Sequence, residues 1–282
     1  MILDASVLQF LAAPFAASLI LTGMHAYLGV HVVERGVIFV DLSLAQIAAF
    51  GGTIALLLPM SGGDAHSPLV YWVSLAFTFM GAFVFSTIRS RHARIPQEAV
   101  IGICYAVASA ATILAMSKAT SESEHLRDML VGNILAVSWS EVVSTALLYG
   151  AIGVFHFVFR HQFLAISMDS KGAEARGVSV KLWDFLFYAS FGFVVTSSVS
   201  IAGVLLVFCY LIVPSVAAML YSDTIGRRLA IGWTMGTVVS ALGVYLSLVL
   251  DLPTGATIVC TFGLVLIVMA SVRPLIQPHA VS

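Results

Sequence analysis

Of 282 residues, 60% are hydrophobic and only 10% charged, with a formal net charge of −1. A soluble domain carries roughly 25% charged residues, so most of this chain sits in lipid. The charge balance gives no electrostatic basis for binding nucleic acid. Cys104, Cys209 and Cys260 stand far apart in apolar runs; they form no CxxC pair, suggest no disulfide frame and read as buried thiols.

A transmembrane helix needs about 20 mostly apolar residues to cross about 30 Å of hydrocarbon. Nine stretches qualify: 8–30, 37–59, 69–88, 97–117, 140–159, 182–199, 201–221, 229–249 and 253–272. The first has no Lys or Arg ahead of it and is too long for a signal-peptide core, so it reads as a span and not a cleaved leader. Pieces 182–199 and 201–221 meet at Ser197-Ser198-Val199-Ser200, and either eight or nine spans fit. Leu126 to Val137 is apolar but too short to cross, and reads as an interfacial or half-inserted helix. The expected fold is an all-α, polytopic membrane bundle forming one domain over 1–282.

Lys and Arg set the orientation. With the N-terminus outside and the C-terminus in the cytoplasm, the inner side receives Arg35, Arg89, Arg91, Arg94, Arg160, Lys171, Arg176, Lys181, Arg227, Arg228 and Arg273. Only Lys118 and Arg127 fall outside. Asp4, Asp64, Glu122, Glu124, Asp128, Glu141 and Asp251 gather at the outer face, which either mildly concentrates cations or simply reflects the depletion of positive charge there.

The polar interval His161 to Lys181 therefore lies in the cytoplasm. Within it 168–177 predicts a short helix: Asp169 as N-cap, Ala173, Glu174 and Ala175 as helix formers, Gly177 closing it in the left-handed conformation. It is either a docking element or a plain connection. No Gly-x-x-x-x-Gly-Lys-Ser/Thr phosphate loop occurs, so any ATP-driven work needs the nucleotide on another chain.

Asp41 carries the most weight among the intramembrane residues. It stands about one turn into the second span, where a lipid-facing carboxylate costs about 2.5–3.5 kcal/mol even on the gentle insertion scale. It is expected to face the bundle interior or an aqueous path, the alternative being interfacial snorkelling at a helix start. Ala45, four residues on, shares its face and cannot ligate; Gln46 joins it only if the helix bulges, and Ser43 is a supporting polar partner. His25 reads as a packing histidine, and His66 and His125 as solvated loop residues. Pro96 and Glu98 read as a first helical turn, Asp251 to Gly255 as an outer turn. Pro214 is expected to kink or break its helix beside a path. Gly232, Gly236 and Ser240 form a small-residue row suited to self-association or to packing within one chain.

Several blocks together resemble the permease subunit of the bacterial ABC-type zinc, manganese and iron importers, the ABC-3 family. They are Gly29 to Asp41, Leu130-Val-Gly-Asn-Ile-Leu-Ala-Val-Ser138, the spacing Asp169, Ala173, Gly177, Gly203 to Val207, Leu211 to Pro214, and Asp251 to Ala256. The resemblance implies a type II-like importer permease in the bacterial inner membrane. It further implies a homodimer with a central path for a divalent metal ion, driven by a separate ABC ATPase that binds the ATP and fed by an extracytoplasmic metal-binding protein. No resident cofactor is implied. The segment 161–181, with Asp169, Ala173, Glu174 and Gly177, is implied to couple to the ATPase, and Asp41 to handle the metal. The family usually places His four residues after that Asp; here the position is Ala45. Two other readings stand beside it: a proton-coupled secondary transporter with Asp41 as proton site, and a membrane enzyme, for which the spans hold no nucleophile–base pair and no HExxH.

Overall fold

The computed structural model describes residues 5–61, 67–88, 96–116 and 134–276. Outside them lie Asp4, Asp64, His66, Arg89, Arg91, Arg94, Lys118, Glu122, Glu124, His125, Arg127 and Asp128, and most of the 126–137 segment. The described residues form an all-helical protein. In order these are α1 (Ala5–Glu34), α2 (Val40–Leu57), α3 (Pro68–Ile88), α4 (Gln97–Met116), α5 (Trp139–Val158), α6 (Arg160–Met168), α7 (Ser170–Ala175), α8 (Val180–Tyr221), α9 (Ile225–Leu250) and α10 (Thr254–Ile276), with 3-10 turns at Pro59–Ser61 and Ile134–Ala136.

Eight of these helices, α1 to α5 and α8 to α10, are long and apolar enough to cross a membrane. Their outward faces are lined with large apolar side chains: Leu114 and Leu147 are 70% exposed and Leu264 65%. Such surface is stable only against lipid or another apolar partner, and the chain is a multi-pass membrane protein.

The ninth expected span is inside α8. A continuous helix of its 42 residues would be about 63 Å long, twice the hydrocarbon thickness. It is not continuous: Gly203 takes φ 75°, ψ 162°, a conformation only glycine adopts readily, and it separates two pieces of span length, 180–202 and 204–221. The break falls three residues beyond the serine run that marks it in the sequence. Pro214 does not break the helix; no residue of α8 other than Gly203 leaves helical dihedrals.

Residue contacts divide the chain into two compact units, each drawing on separated segments: Met1–Val33, Leu130–Ala151 and Ile201–Ser282 in one, Glu34–Met129 and Ile152–Ser200 in the other. Small residues set the packing in both. In the first unit a Cβ on Gly29 of α1 would collide with the Leu211 carbonyl and Ser215 Oγ of α8, and one on Gly236 of α9 with Thr22 of α1. The row Gly232, Gly236, Ser240 is thus used within one chain; Ser240 Oγ also donates to the Tyr210 hydroxyl at 3.3 Å. Trp233 Nε1 donates to the Gly23 carbonyl at 3.0 Å. In the second unit α2 lies tight on α3: a Cβ on Gly51 would come within 2.8 Å of Phe77, and one on Gly81 within 2.8 Å of Ile47. The Thr78 and Thr196 hydroxyls, 3.2 Å apart, join α3 to the first piece of α8. Without a hydrophobic drive between helices in lipid, such close approach and hydroxyl bonding supply the cohesion.

The three cysteines are free thiols and are less buried than their apolar surroundings imply: Cys104 and Cys209 are half-buried and Cys260 is exposed, all on helices with apolar outward faces.

Candidate functional site

Asp41 occupies the second position of α2 and is 1% exposed. Neither carboxylate oxygen has a hydrogen-bond partner among the described residues, and the same holds for the buried Oγ of Ser43. Its buried neighbours along α2 are apolar or small: Val40 and Leu44 are fully buried and Ala45 is 1% exposed. Buried polar groups are almost always paired, and an unpaired carboxylate is costly, so this arrangement demands a cause beyond packing. An ionised carboxylate offers two oxygen acceptors to an incoming cation. The two oxygens of a single carboxylate suit transient contact with a divalent ion and are too few to hold it; Ser43, two residues on, stands about 160° away around the helix axis. No group of three or more His, Cys, Asp or Glu side chains placed to bind a metal occurs among the described residues.

α2 is an unbroken α-helix from Val40 to Leu57, so no bulge turns Gln46 towards Asp41. Five residues at 100° each set the two about 140° apart around the axis. Gln46 is only half-buried, and Ala45 keeps the position on Asp41's face. Pro214 lies in the other unit, 3.6 Å from where a Cβ on Gly232 would stand.

The start of α2 is held from α4. Glu98, in the first turn of α4, accepts the Phe39 backbone N–H at 3.0 Å, just ahead of Asp41. Sequence reading gives Glu98 only a helix-start role; its bond to another helix has no local signal.

The short helix foreseen around Asp169 is α7, closed at both ends by its own residues. The Asp169 carboxylate accepts the Gly172 N–H at 2.9 Å. At the other end Gly177 N–H reaches the Glu174 carbonyl at 2.9 Å and Val178 N–H the Ala173 carbonyl at 3.1 Å, the two bonds of a Schellman motif. Gly177 at φ +83° makes this turn possible. Ala173 is fully buried and seats the helix, whereas Asp169, Lys171, Glu174, Arg176 and Gly177 are exposed.

Sequence reading missed α6, the helix that delivers α7. Its Phe163 is fully buried, stacked on His156 with ring centres 4.3 Å apart and ringed by Phe155, Trp183 and Phe187. His156 Nε2 in turn lies 2.8 Å from Ser190 Oγ, tying α5 to α8. A second feature was equally hidden: Arg35 Nη1 donates to Asp184 Oδ1 at 2.6 Å, with both side chains 0% exposed. Arg35 Nε donates to Ser167 Oγ at 2.9 Å, and the guanidinium lies 3.9 Å over the Phe187 ring.

In the first unit His25 is fully buried, with Nδ1 2.8 Å from the Leu21 carbonyl and its ring beside Tyr149. Asp251 closes α9 in the left-handed conformation, and Ser247 Oγ donates to the Leu252 carbonyl at 2.7 Å, forming the turn into α10.

The model of the ABC 3 transport family matches residues 7–273. The chain belongs to that family. This makes the ABC 3 chain a transport component rather than an enzyme. It is 28% identical over 234 residues to the manganese transport system membrane protein MntC of Listeria monocytogenes, covering 78% of this chain and 83% of the relative. It is 24% identical over 260 residues to a probable iron transport system membrane protein of Haemophilus influenzae, covering 92% of each. In fold it matches a chain of PsaBC from Streptococcus pneumoniae in complex with Fab, with a TM-score of 0.77 at 23% identity, over 94% of this chain and 93% of that one.

Proposed function

We propose that this chain is the membrane subunit of an ATP-driven importer for a divalent transition metal ion (zinc, manganese or iron) in the bacterial inner membrane. It works as a homodimer with its N-terminus outside and its C-terminus in the cytoplasm. A separate ABC ATPase binds and hydrolyses ATP, and an extracytoplasmic metal-binding protein delivers the ion. The observation that carries this reading is α7: a six-residue helix closed at both ends, seated by one buried alanine, with its remaining charged and small residues presented outward. Such a short helix is not stable by propensity alone, so the capping and seating preserve a shape that something else reads. Within these 282 residues there is no phosphate loop, which fits an engine on another chain. The names of the relatives, manganese and iron transport system membrane proteins, support the class of cargo.

In this mechanism ATP closes the ATPase dimer, α7 moves with it, and the permease exchanges outward- for inward-facing states. Asp41 meets the ion as a transient ligand, weak enough to release it. The test is uptake of manganese, zinc or iron, presented on the metal-binding protein, into proteoliposomes holding the purified chain with its ATPase. Uptake is expected only with ATP and the ATPase present. Uptake driven by a proton gradient in vesicles lacking any second polypeptide would move the function to a secondary transporter and end this reading.

A further inference from the structure

We propose that Arg35 is a positioning residue that links the ATPase-docking helix α7 to the Asp41 end of α2; the inference rests on the functional reading above. α7 is entered through α6 and left through α8, and one side chain holds both neighbours. Arg35 Nε donates to Ser167 Oγ, near the end of α6, immediately before Met168 and the cap residue Asp169. Its Nη1 donates to Asp184 Oδ1, in the first turns of α8 after Val180, and its guanidinium lies over Phe187 one turn further on. The contacts therefore bracket α7 from both sides.

Arg35 is also built into the approach to Asp41. It follows the last residue of α1, Glu34, and only Gly36 to Phe39 separate it from α2. That connection has little slack. Gly36 turns at φ +65°, Val37 is fully buried and its carbonyl accepts the Val40 N–H at 3.1 Å, and the Phe39 N–H is held by Glu98. A displacement of α6 or of the start of α8 is thus passed through the guanidinium to a stiff five-residue connection whose far end is the turn carrying Asp41. The residue type fits the task. Arginine presents a planar fork of donors that binds two partners in fixed directions while stacking on an aromatic face; lysine presents a single point charge on a flexible stem. A buried ion pair is seldom the most stable way to fill its space, so the site is better explained by geometry than by stability.

The experiment uses the complete permease–ATPase complex in proteoliposomes and reads manganese(II) taken up per ATP hydrolysed, alongside ATPase retention and basal hydrolysis. Two variants keep buried charge paired: Arg35→Lys, which retains the pair with Asp184 and gives up the fork, and Ser167→Ala, which removes the tie to α6 together with that hydroxyl's own bond to the Phe163 carbonyl. Both are expected to insert, retain the ATPase and hydrolyse ATP at the basal rate of the wild type. Manganese taken up per ATP is expected to fall about tenfold, the range of an ordinary coupling free energy. An unchanged ratio in both variants would falsify the link, as would a loss of ATPase from the complex that accounts for all lost uptake. A wild-type complex that transports without ATP overturns the functional reading and this inference together. A wild type driven by ATP, beside variants that stay coupled, overturns this inference alone.

Discussion

Asp41 and Asp184 are two carboxylates of one compact unit, buried to the same depth and treated in opposite ways. Asp184 has an arginine at 2.6 Å, and that arginine is itself fixed by a hydroxyl and an aromatic ring. Asp41 has no hydrogen-bond partner for either oxygen among the described residues. A buried charge that is fully paired holds parts of a protein in register; one left open is a cost that the fold carries for another purpose. The contrast separates a joint from a candidate site within a single helical unit.

The largest effect that would break this contrast is on transport. Asp41→Asn keeps the shape and removes the charge, and uptake is expected to fall on the order of ten- to a hundredfold, the value of a charged contact. Thermal stability in detergent is expected not to fall, since no partner is stranded. Normal uptake by this variant would remove Asp41 from the path. Asp184→Ala should do the reverse in kind: it strands a buried guanidinium and is expected to cost about 3–5 kcal/mol of stability, read as a lowered melting temperature before any uptake is measured. Equal melting of the two variants would erase the distinction between them.

Next in size is α7. Gly177→Arg places a side chain at φ +83°, in open space but in a conformation that costs roughly 1–2 kcal/mol, and it adds charge to the presented surface. Asp169→Lys removes the cap that holds the Gly172 N–H. Both proteins are expected to insert normally and to hydrolyse ATP without proportionate uptake. Full uptake in both, with the ATPase still bound, would show that α7 is only a connection.

The parts that could be read from residue order are those governed by local rules. Span lengths follow from the bilayer, and α4 at Gln97–Met116 lies within a residue of its expected limits. The cap at Asp169 and the glycine stop at Gly177 are signals that lie within ten residues of each other, and both are met in full. What stayed hidden depends on partners far along the chain. Arg35 counts in the sequence as one more inner-side cation, and Asp184 sits unremarked in Leu182-Trp183-Asp184-Phe185-Leu186-Phe187; nothing local joins residues 149 apart. α6 was missed for a related reason: Arg160 to Met168 has mixed polarity, and its helix is secured by His156, Trp183 and Phe187 on neighbouring elements. The open state of Asp41 was half legible. Ala45 shows that the imidazole implied by the resemblance is missing, but only the packing shows that no distant residue among those described bonds to the carboxylate in its place.

Two glycines of the other unit sharpen the same lesson about what a position is for. Gly29→Ala drives a methyl into the Leu211 carbonyl and Ser215 Oγ, both fixed in α8, and is expected to destabilise by about 1–3 kcal/mol. At Gly232 the added Cβ meets Ala26 and Pro214 at 3.6 Å, ordinary contact, so Gly232→Ala is expected to be neutral or slightly stabilising through helix propensity. Comparing the two melting temperatures checks the small-residue packing independently of transport.

The smallest effect belongs to Gln46. Its amide could matter only by facing the same space as Asp41, and the unbroken helix turns it about 140° away. It is half-buried, and truncating it leaves no buried group unpaired. Gln46→Ala is therefore expected to change uptake by about twofold or less, the effect of an ordinary substitution away from a site. A loss approaching that of Asp41→Asn would mean that α2 unwinds during the transport cycle and brings the amide round to the carboxylate. The contrast between a paired and an open carboxylate would then be a property of one state of the cycle only.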